Sequence, residues 1–202
     1  MTRRMKESPD NIDFENELDT QLMWRIREGD THAMESLIRR HQDVVYATIS
    51  GMLRKQGDIE DIAQQVFIRI WRSASTYEPS AKFKTWMFTI LRNLVFNEMR
   101  RKRRKPVLSS DALEEENGMI LSIDSALSPD EAADQSELEQ AVNQAIDELS
   151  PKEKLALQLR RYENMPYEEI ATVLETSVSA TKSILFRARN QLKEKLSHFL
   201  GN

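Results

Sequence analysis

Apolar residues in this chain return at intervals of three and four, segment after segment, and that spacing leaves little room for anything but helices. The longest example runs through Met34, Leu37, Ile38, His41, Val44, Val45, Thr48, Ile49, Met52 and Leu53, one stripe of an amphipathic helix. His41 lies inside the stripe, where a core-edge role outweighs a metal role. Thr31 is the expected N-cap of this helix, with Glu35 near its first turn. Upstream, residues 1–18 read as a polar, aperiodic tail, followed by a short helix from Asp19 to Arg27 that Gly29-Asp30 would stop. Downstream, Gln56-Gly57 breaks the helix and Asp58 is expected to cap the next. There Ile62, Ala63, Val66, Ile70 and Trp71 point inward, while Asp61, Gln64, Gln65, Ile68 and Arg72 fall off that stripe. The loop that follows carries Pro79 and ends helical order. Only five Gly and six Pro occur in 202 residues, which suits helices with short connections and argues against a turn-rich β protein. The expected fold class is all-α, with two small helical domains joined by a flexible acidic linker.

The stretch from Phe83 to Lys105 starts aromatic, continues as an apolar helix and ends in positive charge. At about 100° per residue, Phe83, Met87, Ile90, Leu91 and Leu94 share a core face. Trp86, Thr89, Asn93, Phe96, Asn97 and Arg100 form a second stripe beside it. Aromatic, amide and guanidinium groups on one flank can stack on bases and hydrogen-bond to their edges. Residues 82–105 hold nine Lys and Arg against Glu98 alone, and Arg100 to Lys105 is an unbroken basic run. Such a run also occurs as a solvated helix end favoured by the helix dipole, and Trp86 and Phe96 also suit a core edge. Phosphate attraction is the plainest functional reading.

The net charge of −4 argues weakly against a nucleic-acid partner, but its distribution reverses the inference. Residues 106–140 carry ten acids and no Lys or Arg, so the remainder of the chain is at +6. Residues 106–135, with Pro106, serine pairs and Ser128-Pro129, read as a linker extended by its own repulsion. The alternative is an anionic segment that occupies a cationic channel in a partner. A second domain is expected over 136–202. Leu138, Ala141, Val142, Ala145, Ile146 and Leu149 open it, and Ser150-Pro151-Lys152-Glu153 is a helix start with a capping box. Pro166 to Glu175 then reads as a short helix, followed by a tight turn and a longer helix capped by Ser177, together a helix-turn-helix. On the last helix Val178, Thr181, Leu185, Ala188 and Leu192 face inward, and Ser179, Lys182, Ser183, Phe186, Arg187 and Asn190 face outward. A basic, hydroxyl-bearing face with an outward Phe fits the major groove, where a thymine methyl can cover the ring. A packing helix with solvated cations is the plainer alternative.

The chain contains no Cys, which excludes disulfides and thiolate metal sites. Its three His are scattered, and no Gly-rich phosphate loop or convergent carboxylates appear, so no catalytic residue, metal or cofactor is assigned. No apolar run approaches the roughly 18 residues that span a membrane, and the first residues lack an apolar signal core. A cytoplasmic protein is expected.

In order and separation, DIEDIAQQVFIRIWR (58–72), FKTWMFTILRNLVFNEMRRKRR (83–104) and the segment over 149–196 resemble a sigma factor of the extracytoplasmic-function type. The resemblance covers about Asp19 to Leu196 and implies core RNA polymerase and promoter DNA as partners, commonly with an anti-sigma factor. It matches residues 19–105 to the unit that binds polymerase and the minus-ten element, and 136–202 to the unit that binds the minus-thirty-five element. It matches Asp61, Gln64, Gln65 and Phe67 to the helix docking on the polymerase clamp. Tyr77, Phe83, Trp86, Asn93, Asn97 and Arg100 correspond to the loop and helix that capture the minus-ten strand. Ser179, Lys182, Ser183, Phe186 and Arg187 correspond to the helix that reads the minus-thirty-five element. The acidic linker corresponds to the connector that threads polymerase channels. The turn lacks the Gly often found near Glu175, and Pro166 replaces a usual Ser cap. The rival function is a helix-turn-helix regulator acting without a sigma role, which leaves the aromatic-amide stripe unexplained.

Overall fold

The computed structural model describes residues 9–53, 56–104 and 129–199. Residues 105–128, which hold most of the expected linker and the apolar piece Met119-Ile120-Leu121, lie outside the described residues. The described residues form eight α-helices and one 3-10 turn, without a strand. The first four helices are α1 (Pro9–Arg27), α2 (Thr31–Ser50), α3 (Gln56–Ser73) and α4 (Phe83–Arg104), with the 3-10 turn Ala74–Thr76 after α3. The second four are α5 (Pro129–Asp147), α6 (Pro151–Tyr162), α7 (Tyr167–Leu174) and α8 (Val178–Lys195). Helix α2 packs between α1 and α3, α3 packs on α4, and α6, α7 and α8 pack on one another with α5 against α8. The two groups of helices meet where α7 lies on α4.

Several element starts differ from the sequence expectation. Helix α1 begins at Pro9 rather than Asp19, because its second half is tied to the body. The Asn16 side chain accepts a hydrogen bond from the Phe83 backbone N–H at 2.8 Å, and the buried Asp19 carboxylate meets Arg40 at 2.8 Å and His41 at 3.0 Å. His41 is therefore a buried partner of a carboxylate. The N-cap of α2 is Asp30 rather than Thr31. Its carboxylate accepts from the Ala33 backbone at 3.0 Å and from Arg25 at 2.6 and 2.9 Å. The Ala33 bond first, and then Arg25, hold its carboxyl below the ordinary range. Asp58 lies in the first turn of α3 rather than capping it, and pairs there with Lys102 of α4. Helix α5 starts at Pro129, within the stretch expected as linker, and a proline is well tolerated at a first helical position.

The C-terminal starts follow the sequence. Ser150 and Glu153 form the full capping box, and Ser177 accepts from the Ala180 backbone at 3.1 Å. Pro166 caps α7 with no side-chain hydrogen bond.

One hydrophobic cluster runs from Leu22 and Met23 through Phe83, Phe88 and Leu91 to Leu159, Ile170 and Leu185. Fully burying a side chain such as Phe88, Leu91 or Leu155 contributes roughly 1.5–3 kcal/mol each. Trp71, expected in the core, is 39% exposed, because the inward arc of α3 is filled by Ile59, Ile62, Ala63, Val66 and Ile70.

Candidate nucleic-acid interface

Helix α4 divides its circumference into three arcs. The expected core face is buried at Phe83, Met87, Leu91 and Leu94. A further arc, Thr85, Phe88, Arg92 and Val95, is buried as well, beneath α7. What remains is the flank of Trp86, Thr89, Asn93, Phe96, Asn97 and Arg100, of which Asn93, Asn97 and Arg100 are exposed. The apolar arcs thus fix the helix so that its amides point outward.

Beneath the flank is an aromatic stack. Tyr77 lies edge-on to Trp86 with centroids 5.0 Å apart, Phe83 is 5.9 Å from Trp86, and His41 is 5.0 Å from Phe83. Tyr77 and Phe83 are themselves buried, and burial pushes the Tyr77 phenol above its ordinary 10.0. Of the aromatic residues matched to strand capture, Trp86 is half-buried, whereas Tyr77 and Phe83 are buried and pack against it. Further along, the Arg100 guanidinium donates to Asn97 Oδ1 at 2.6 Å and to the Phe96 carbonyl at 3.3 Å. That leaves the Asn97 amide nitrogen to donate outward.

The basic end of α4 is partly self-neutralised. Arg101 makes a two-pronged contact with Glu98 at 2.6 and 2.7 Å, and Lys102 pairs with Asp58. Arg100, Arg103 and Arg104 are exposed.

Helix α8 carries the second face. Thr181, Ile184, Leu185 and Ala188 are buried, and Ser179, Lys182, Ser183, Phe186 and Arg187 are all exposed. Phe186 is 65% exposed, an apolar ring held out to solvent. The Arg187 guanidinium lies 3.5 Å from Glu153. Burial raises the Glu153 carboxyl, but hydrogen bonds from Ser150 and Arg187 outweigh that and lower it overall. Glu153 therefore steadies Arg187 at the edge of the face while remaining a capping residue.

A third feature is a groove of about 620 Å³ between α2 and α3. Asp61, Gln64 and Phe67 line it together with Met34, Ile38, Tyr46, Ile68 and Trp71. Gln65, matched to the same docking surface, is exposed but does not line the groove. Tyr46, Ile68 and Trp71 are 39–40% exposed, so the groove presents apolar rims. The sequence reading missed the part played by Tyr46, Ile68 and Trp71. Its one signal was Ile68, an aliphatic residue off the buried stripe.

Residues 37–105 match the family model described as sigma-70 region 2, and residues 139–192 match the model described as sigma-70 region 4. The chain is 31% identical over 188 residues to the RNA polymerase sigma-H factor of Pseudomonas aeruginosa, covering 91% of this chain and 96% of that protein. It is also 31% identical over 183 residues to the ECF RNA polymerase sigma-E factor of Escherichia coli K12, covering 88% and 94%. Among solved structures, the sigma factor RpoE in complex with the anti-sigma factor NepR from Bartonella quintana aligns with a TM-score of 0.59 at 26% identity, covering 81% of this chain and 96% of that one. CnrH in complex with the cytosolic domain of CnrY aligns at 0.64 and 19% identity over 90% and 98%, a likeness of fold.

Proposed function

The chain belongs to the sigma-70 family as a sigma factor of the extracytoplasmic-function type, and from that premise we propose how its parts divide the work of transcription initiation. A sigma factor binds core RNA polymerase, directs it to promoters and is not itself an enzyme. No helix among the described residues is long and apolar enough to cross a membrane. Work on promoter DNA is the support for a cytoplasmic location.

Helices α1–α4 act on polymerase and the minus-ten element, α5–α8 on the minus-thirty-five element, and the acidic segment between them is the connector. The groove edged by Asp61, Gln64 and Phe67, with Gln65 beside it, docks on the polymerase clamp. Its apolar rims of Tyr46, Ile68 and Trp71 suit a partner helix. The basic end of α4 holds phosphate, with Arg100 at its base. Trp86, backed by Tyr77 and Phe83, stands at the melting edge, where a ring stacked on a base is worth roughly 1–3 kcal/mol. Unstacking a base costs a few kcal/mol, which the Asn93 and Asn97 amides offset by hydrogen bonds to its edge. On α8, Ser179, Lys182, Ser183, Phe186 and Arg187 read the upstream duplex in the major groove. An anti-sigma factor is the expected regulator, supported by the Bartonella quintana complex.

The observation that carries this reading is the pair of outward faces, amide-aromatic on α4 and basic-aromatic on α8, on one chain with an apolar docking groove. A regulator acting through the helix-turn-helix alone needs neither the groove nor the α4 flank. Run-off transcription with core polymerase tests the choice. Promoter-specific transcripts that depend on added protein are expected, and their absence on every promoter of a genomic library would sink the sigma assignment.

A further inference from the structure

A cavity in the C-terminal group of helices has no part in the work proposed above. It lies where α5, α6 and α8 meet and encloses about 440 Å³. Its floor is aliphatic: Ile146 at the end of α5, Leu149 in the connection to α6, Leu157 on α6 and Leu192 on α8. Leu149 is buried and the other three are half-buried, so apolar surface from three helices stays open to this space. The sequence sets this up. Leu155, Ala156 and Leu159 fill the core arc of α6, which turns Leu157 and Arg161, four positions apart, onto a second arc. On α8, Arg189 and Leu192 are three positions apart. Each helix therefore carries an arginine one turn from a leucine on the wall of the same cavity.

The cations around the cavity differ. Lys154 is buried and pairs with Asp147 at 3.0 Å. Arg160 donates to the Met165 carbonyl at 3.1 Å and lies over the Tyr167 ring. Arg161 and Arg189 are exposed, and among the described residues neither meets a carboxylate. Two guanidiniums without an acid partner thus stand at the rim of an aliphatic hollow. The charge complementary to them is an anion, and a planar guanidinium fork matches a carboxylate.

Size narrows the choice of occupant. Small-molecule sites enclose about 300–1,000 Å³, and this cavity falls within that range. One turn of a partner helix, about 10–12 Å across and 5.4 Å long, fills roughly 500 Å³, more than the cavity holds. An extended peptide would bring N–H and C=O groups onto a floor that cannot pair them. A polymethylene chain brings none.

We propose that this cavity binds one free fatty acid, its carboxylate held by Arg161 and Arg189 and its chain laid over Ile146, Leu149, Leu157 and Leu192. The site needs neither polymerase nor promoter to be observed, so its failure would leave the sigma assignment untouched.

The test is calorimetric titration of the full chain with octanoate, decanoate and dodecanoate, each below micelle formation. One molecule is expected to bind per chain, about fourfold tighter for each added methylene. No binding, or a series flat in chain length, overturns the proposal. Arg161→Ala with Arg189→Ala, both at exposed positions, is expected to weaken dodecanoate at least about tenfold. Dodecanol, which lacks the charge, is expected to bind the parent and the double variant equally. Equal dodecanoate binding by the two proteins would leave the arginines as cover for apolar surface and overturn the carboxylate site. Stearate with a nitroxide near its methyl end locates the chain. Broadening of the Leu149, Leu157 and Leu192 methyl resonances is expected. Broadening instead at Met34 and Ile38, in the groove between α2 and α3, overturns the assignment. So does sedimentation of the lipid-free protein as a dimer that shields the same three leucines, since the occupant would then be a second copy.

Discussion

Helices α4 and α8 each present a polar face with an aromatic ring, yet they are built in opposite ways. On α4 the ring is half-buried Trp86, braced by Tyr77 and Phe83, and two of the three arcs of the helix are enclosed. On α8 the ring is Phe186, 65% exposed and beyond a single buried arc of Thr181, Ile184, Leu185 and Ala188. A braced ring and fixed amides suit a site that must hold an unstacked base in one geometry. An unbraced face on a well-capped helix suits a groove whose own shape supplies the constraint. On the proposed division of roles, preorganisation is concentrated where the nucleic acid would be distorted.

The strongest way to break this comparison is to remove the brace. Phe83→Ala is expected to cost about 3–5 kcal/mol of the stability of the N-terminal helices in chemical denaturation. A loss no larger than that of an exposed substitution would mean that Trp86 rests on nothing. On the other helix, Arg187→Ala should cost roughly 1–3 kcal/mol in binding to upstream duplex and relax its sequence preference, with denaturation little changed. Equal preference across mutated duplexes would remove Arg187 from base reading. Asn93→Ala should leave core-polymerase binding intact while reducing strand opening by roughly 1 kcal/mol, about one lost edge hydrogen bond. A permanganate footprint as strong as that of the parent would take Asn93 out of the melting role.

The smallest effect concerns pH. The Glu175 carboxyl is lowered from 4.5, first by the hydrogen bond from Arg92. Its contribution to the contact with Arg92 is complete above that ordinary value and fades as pH falls through the lowered one. Stability in chemical denaturation should therefore fall below about pH 4.5, and fall less steeply in Glu175→Gln. Equal acid loss in the two proteins would leave Glu175 without an electrostatic share in its contact with Arg92.

Much of α8 was legible because that helix packs chiefly on α5, α6 and α7, within its own group of helices. Amphipathic spacing then assigned Thr181, Leu185 and Ala188 inward and Phe186 and Arg187 outward without knowledge of anything distant. Helix α4 was half legible. Its core face and flank followed from angles, but the arc of Thr85, Phe88, Arg92 and Val95 is buried by α7, whose Glu175 is 83 positions from Arg92. No local period reports such a partner, and Arg92 counted in the sequence only as one more cation. The resemblance brought Tyr77 and Phe83 forward with the strand-capturing residues; both are buried here and pack against Trp86. Trp71 was misjudged because a stripe drawn by angle has soft edges, and the narrower residues Val66 and Ile70 already fill the inward arc.

The bond from the Phe83 backbone to Asn16 spans 67 positions, and it sets an order of assembly. During synthesis at about 5–20 residues per second, Asn16 waits roughly 3–13 s before its partner is made. In that interval Asp19 can already meet Arg40 and His41, which follow it closely in the chain. The first helix pair can thus dock early, while the start of α4 receives its cap only when nearly half the protein exists. A nascent chain halted before Phe83 would hold the Asn16 side chain without the backbone partner it has in the finished protein.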